Sequence, residues 1–130
     1  MTQEKKAYID TLLDGGFTRL ADGTINPTEG YIVGGVTEPT TMKLDAVATS
    51  IAYRDAMQYA EFKELWTKYE MQLNEKPFPS GLGVGTWIHD DKIYFDLVQR
   101  IYNLDVATRV ARERGEIAIW DCENQKEITL

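Results

Sequence analysis

Between Lys43 and Glu75 the chain has neither proline nor glycine, and Tyr59, Phe62, Trp66, Tyr69 and Leu73 recur at alternating three- and four-residue steps. Ala52 and Ala56 lie upstream of them. That period predicts a long amphipathic helix over about 43–75 with one aromatic-rich stripe. Such a helix would reach roughly 45 Å at 1.5 Å per residue, more than a small domain covers with its own mass. Part of the stripe is therefore expected to pack on another copy. Two shorter helices broken near Ser50 and folded on one sheet are the alternative.

On either side of this stretch the pattern changes. Residues 4–14 carry Ala7, Ile9, Leu12 and Leu13 among charges, a short helix stopped by Gly15-Gly16. Residues 17–42 read as an N-terminal β region: Phe17 to Leu20, a tight turn at Ala21 to Thr24, a break at Asn26-Pro27, and a strand from Gly30 to Val36. The glycines of that last strand mark a bulge or a place where something approaches the backbone closely. Lys76-Pro77-Phe78-Pro79-Ser80-Gly81 excludes further helix.

Beyond it, about 82–130, lies a ββαββ unit. Strands 84–89 and 92–100 flank a turn at Asp90-Asp91. A helix over 105–114 starts at an Asp105 N-cap and turns Val106, Ala107, Val110 and Ala111 inward. Strands follow at 116–121 and 127–130. The fold class is thus α+β: one domain over 1–130, an antiparallel sheet, a long helix used for oligomerisation and a short C-terminal helix.

Composition narrows the partners. A net charge of −7 over 130 residues, with pI near 4.7, argues against duplex nucleic acid or an anionic membrane. The single cysteine, Cys122, excludes an internal disulfide and suits a reducing cytoplasm. The first residues lack the apolar core of a leader, and no run approaches the roughly 18 apolar residues of a membrane span. A soluble cytoplasmic protein is expected.

Candidate chemistry is sparse. His89 is the only histidine, so a histidine-based metal site within one chain is excluded, and its place beside the turn suits a solvated residue. Cys122 ends a strand and reads as a small half-buried residue. Asp90 and Asp91 are ordinary turn residues. Gly81-Leu82-Gly83-Val84-Gly85 precedes a strand and lacks a following Lys-Ser or Lys-Thr, so it is no phosphate-binding nucleotide loop. Its glycines, beside Trp87, would let a ligand lie against bare backbone. Arg54 on the long helix and Arg109, Arg112 and Arg114 on the short one are forked partners for phosphate. Alternatively they pair with Asp105, Glu113 or Glu116. Trp87 offers a face for a base. No cofactor, metal or catalytic constellation is indicated.

Gly-Thr-Trp at 85–87, Ile-Tyr-Phe-Asp at 93–96, Arg-Glu-Arg-Gly-Glu at 112–116 and Ile-Ala-Ile-Trp-Asp at 117–121 together resemble phage proteins of the first Thoeris anti-defence class. The Gly-Tyr-Ile-Val-Gly-Gly strand at 30–35 and the long helix add to that resemblance. It implies a sponge, not an enzyme, that binds glycosylated cyclic ADP-ribose signals in the infected bacterial host and holds them intact. It also implies a homodimer or a trimer of dimers, with cyclic oligonucleotides as further ligands. Carried over by position, Trp87 would stack the adenine and Asp96 would contact the ligand from its strand. Arg54 and Arg112, with Arg109 nearby, would clamp phosphates. An acidic protein-binding inhibitor or nucleic-acid mimic, and a small hydrolase of the same signal, are the alternatives.

Overall fold

The structure is a computed structural model that describes residues 2–44 and 51–130, with side chains 51–55 not described. It comprises α1 (Gln3–Asp14), β1 (Gly16–Leu20), β2 (Tyr31–Val33), β3 (Thr40–Lys43), α2 (Ile51–Asn74), β4 (Leu82–His89), β5 (Lys92–Ile101), α3 (Leu104–Glu113), β6 (Ala118–Asp121) and β7 (Lys126–Thr129). The α+β class and the antiparallel sheet expected from the sequence are what the chain forms. Its seven strands run β1-β4-β5-β2-β6-β7, with β3 also beside β5.

β5 is the spine of the sheet. The hairpin pairs all of β4 with it, from Leu82 opposite Gln99 to His89 opposite Lys92. Its other edge is shared: β2 covers Gln99 to Ile101, and β3 covers Lys92 to Phe95. Asp96 to Val98 fall in the gap between those two strands. There the chain turns at Gly34-Gly35, and Val36 donates its amide to the Leu97 carbonyl at 3.3 Å.

Alternation along β5 sends Ile93, Phe95 and Leu97 to one face, where they form the main core with Phe17, Val84, Phe62, Trp66, Tyr69 and Leu73. Phe62, Trp66 and Tyr69 are fully buried. Phe62, Trp66, Tyr69 and Leu73 of the α2 stripe are therefore laid on this chain's own sheet. Helix α2 is described from Ile51, while Lys43 ends β3. Lys43, expected near the helix start, is therefore a strand residue, and a break near Ser50 lies outside the described residues. At the other end of the same face α3 packs Ala107 and Ala111 on Val33 and Ile119. The three helices among the described residues thus cover one side.

Local chemistry fixes the helix ends. The Thr2 hydroxyl accepts from the Lys5 amide at 3.2 Å. Gly15 takes a left-handed φ of +83° and returns its amide to the Thr11 carbonyl. Asn103, rather than the expected Asp105, caps α3, accepting from the Val106 amide at 3.0 Å. Asp105 sits in the first turn, at the positive end of the dipole. Val106, expected to face inward, is exposed.

Candidate functional site

The sheet's second face carries the alternate residues: Trp87 and His89 from β4, Tyr94, Asp96 and Val98 from β5, Ile32 and Trp120 from β2 and β6. Among the described residues no helix is laid on it. Leu20, Ile32, Val98 and Cys122 make a small apolar cluster at one end. At the other end Trp87 stands 41% exposed and stacks on Tyr94, with ring centroids 4.6 Å apart and planes 25° from parallel. The pairing is dictated by the hairpin: Asp90 and Asp91 both take positive φ, a two-residue turn that sets Trp87 opposite Tyr94. His89 lies 5.5 Å from Trp87, and its Nε2 meets Asp90 Oδ2 at 3.2 Å.

The strands extend this patch sideways. Thr41 of β3 is opposite Tyr94, and Lys43 is opposite Lys92, which is itself opposite His89. Two neighbouring rungs therefore read Trp87–Tyr94–Thr41 and His89–Lys92–Lys43. All of these residues except half-buried Tyr94 are exposed. The lysines and Tyr94 were not singled out from the sequence. The hairpin rungs were legible from the Asp90-Asp91 turn, but the docking of β3 is a long-range pairing with no local signal.

The glycines beside Trp87 have another role than the one expected. A Cβ on Gly85 would meet Val98 Cγ1 at 2.8 Å, and one on Gly83 would meet the Arg19 carbonyl at 2.5 Å. Both glycines are buried, so they admit Val98 and Leu20 and offer no bare backbone to a ligand. The glycines after β2, Gly34 and Gly35, do match the expectation of close approach. A Cβ on Gly34 would come within 2.5 Å of both Asp96 Oδ2 and Glu116 Oε1.

Asp96 is consequently enclosed, only 7% exposed. Its Oδ2 accepts the Gly35 amide at 2.8 Å, while Oδ1 has no partner among the described residues. Burial pushes its carboxyl up to about 7. The Gly35 amide opposes that rise, the Glu116 charge adds to it and Arg114 again opposes it. Glu116 is raised by the same burial and lowered by Arg114. Arg114 donates to the Gly34 carbonyl at 3.3 Å and to Gln99 Oε1. The cluster pins the turn between β2 and β3. Asp96 stands one rung from Trp87 but does not reach the open patch.

The structure separates the other residues expected at the site. Arg109 and Arg112 are exposed on α3, behind the sheet from Trp87, and do not converge with it within one chain. Arg54 falls in the first turn of α2, and its side chain lies outside the described residues. Cys122 is buried more deeply than expected, and burial raises its thiol to about 11, which suits no nucleophile. Among the described residues no group of three or more metal-ligating side chains converges, and no helix is long and apolar enough to cross a membrane. A cavity of about 420 Å³ lined by Thr37, Gln72, Glu75, Lys76 and Pro77 shares no residue with the aromatic patch. Compared with protein-family models, curated proteins and solved structures, the chain matches none.

Proposed function

We propose that this protein captures a cyclic nucleotide immune signal of the glycosylated cyclic ADP-ribose kind and holds it unaltered. It would act as a phage anti-defence protein in the cytoplasm of the infected bacterium. The observation that carries this reading is the stack of exposed Trp87 on Tyr94, on a sheet face that no helix among the described residues covers. A large aromatic left in water at the end of a rigid hairpin offers a flat apolar face to a base. Stacking on such a face contributes roughly 1–3 kcal/mol. The sequence resemblance at 85–87, 93–96 and 112–121 supports the ligand class.

A homo-oligomer, either a dimer or a trimer of dimers, belongs to the same proposal. Arg109 and Arg112 face away from the platform, so they reach a ligand stacked on Trp87 only from a second copy. Sequestration requires tight binding without turnover, and nanomolar affinity corresponds to about 12 kcal/mol. One stacked base and several charge-assisted bonds at roughly 1.5–3 kcal/mol each approach that value. Cyclic oligonucleotides, which share a base and phosphates, are the second ligand class to try.

The test is to incubate the protein with signal made by an immune TIR enzyme, then heat-denature it and chromatograph the supernatant. Depletion followed by return of the intact signal is expected. A new product would mean a hydrolase, and no depletion would leave the acidic protein-binding inhibitor as the better account.

A further inference from the structure

We infer that Lys43 and Lys92, paired across β3 and β5 beside His89, form the phosphate-binding part of the Trp87 site. The ligand would then lie with its base on Trp87 and a phosphate on the lysines. This rests on the platform reading above and assigns the anion contact to lysines of the same face instead of to the arginines of α3.

Three observations converge. The lysine rung is the next one along the strands from the Trp87–Tyr94 rung on the same face, a separation of roughly 7 Å at 3.4 Å per residue. That is comparable with the reach from a base across its ribose to the 5′ phosphate. Second, the two lysines are set directly opposite one another in the register, a placement of like charges that destabilises a sheet unless an anion joins them. The ion pairs among the described residues engage Lys6, Arg19 and His89, and neither of these lysines. Third, the chain is acidic overall, at −7, yet this rung carries two cations and a histidine. The carboxylates next to Lys92, Asp90 and Asp91, lie in the turn beyond it, and Asp90 is turned to His89; Asp45, two residues from Lys43, lies outside the described residues. A lysine is a compact point charge suited to phosphate, and two can share one phosphate without a forked geometry.

Equilibrium dialysis of the full chain with cyclic ADP-ribose and with adenosine separates the parts. Wild type is expected to hold cyclic ADP-ribose about tenfold more tightly than adenosine, an advantage that shrinks as salt is raised. The double variant Lys43→Gln/Lys92→Gln, altered at exposed positions only, should lose that advantage and keep adenosine binding unchanged. Trp87→Ala should weaken both ligands. Undiminished preference for cyclic ADP-ribose in the lysine variant overturns the lysine assignment and leaves the platform standing. Failure of wild type to bind either ligand overturns both.

Discussion

The two faces of the sheet use the same residue types for opposite ends. On the helix side Phe62, Trp66, Tyr69 and Phe95 are fully buried, with Phe62 and Phe95 rings 5.0 Å apart. On the other side Trp87 and Trp120 remain 41% and 43% exposed. Burying an aromatic stabilises the fold, whereas leaving one in water does not, so an aromatic kept outside calls for another explanation. The comparison also separates the carboxylates. Asp90 and Asp91 shape a solvated turn, whereas Asp96 is enclosed by Gly34, Gly35 and Glu116.

The largest expected effect falls on the helix side. Trp66→Ala should cost about 3–5 kcal/mol of stability, read as a lower midpoint in chemical denaturation. A loss below about 1 kcal/mol would mean that the core is not organised around that ring.

The next effect belongs to Asp96. Its carboxyl keeps a proton up to about pH 7 when folded, against an ordinary 3.8. The folded chain therefore holds the extra proton between those values. Stability from this group is full below about pH 4 and falls as pH rises through 7. Asp96→Asn keeps an oxygen for the Gly35 amide and removes the titration. The variant should be more stable than wild type at pH 8, by on the order of 3 kcal/mol, and should lose most of the decline between pH 5 and 8. Parallel pH profiles for the two proteins would place the titration elsewhere, with Glu116 the first group to examine.

Gly85→Ala should cost about 1–3 kcal/mol through overpacking against Val98, with denaturation midpoints as the measure. An unaffected midpoint would restore the idea that Gly85 is open to a ligand. Trp87→Ala is expected to change stability least, by about 1 kcal/mol for the lost pairing with Tyr94, while abolishing capture of the signal. The contrast between Trp66 and Trp87 is the sharpest form of the comparison, one substitution acting on the fold and the other on binding.

How much of this was legible in the sequence follows the range of the interactions. The Gly15 cap, the Asp90-Asp91 hairpin and the Phe62, Trp66, Tyr69 periodicity are local, and each produced its element. The C-terminal ββαββ unit was legible for the same reason. What covers the α2 stripe was not local. The sheet on which Phe62, Trp66 and Tyr69 lie is assembled from strands distant in the chain, which no local pattern announces. Gly83 and Gly85 were misread because the atoms that fill their space belong to Leu20 and Val98. Asp96 was legible as a strand residue but not as a buried one, since Glu116 and Gly34 meet it from separate parts of the chain. Trp87 stands out in sequence as an aromatic beside the hairpin turn and within the family resemblance, whereas its lysine neighbours needed the β3 register.

Trp87 and Trp120 lie on the same face with nearly equal exposure, which makes them matched probes. Depletion of TIR-made signal by wild type, Trp87→Ala and Trp120→Ala, each at equal folded concentration, tests the account most directly. It predicts that Trp120→Ala depletes the signal as wild type does, and that Trp87→Ala leaves it in solution. Equal depletion by all three proteins would contradict the claim that the Trp87–Tyr94 end of the open face is the binding site.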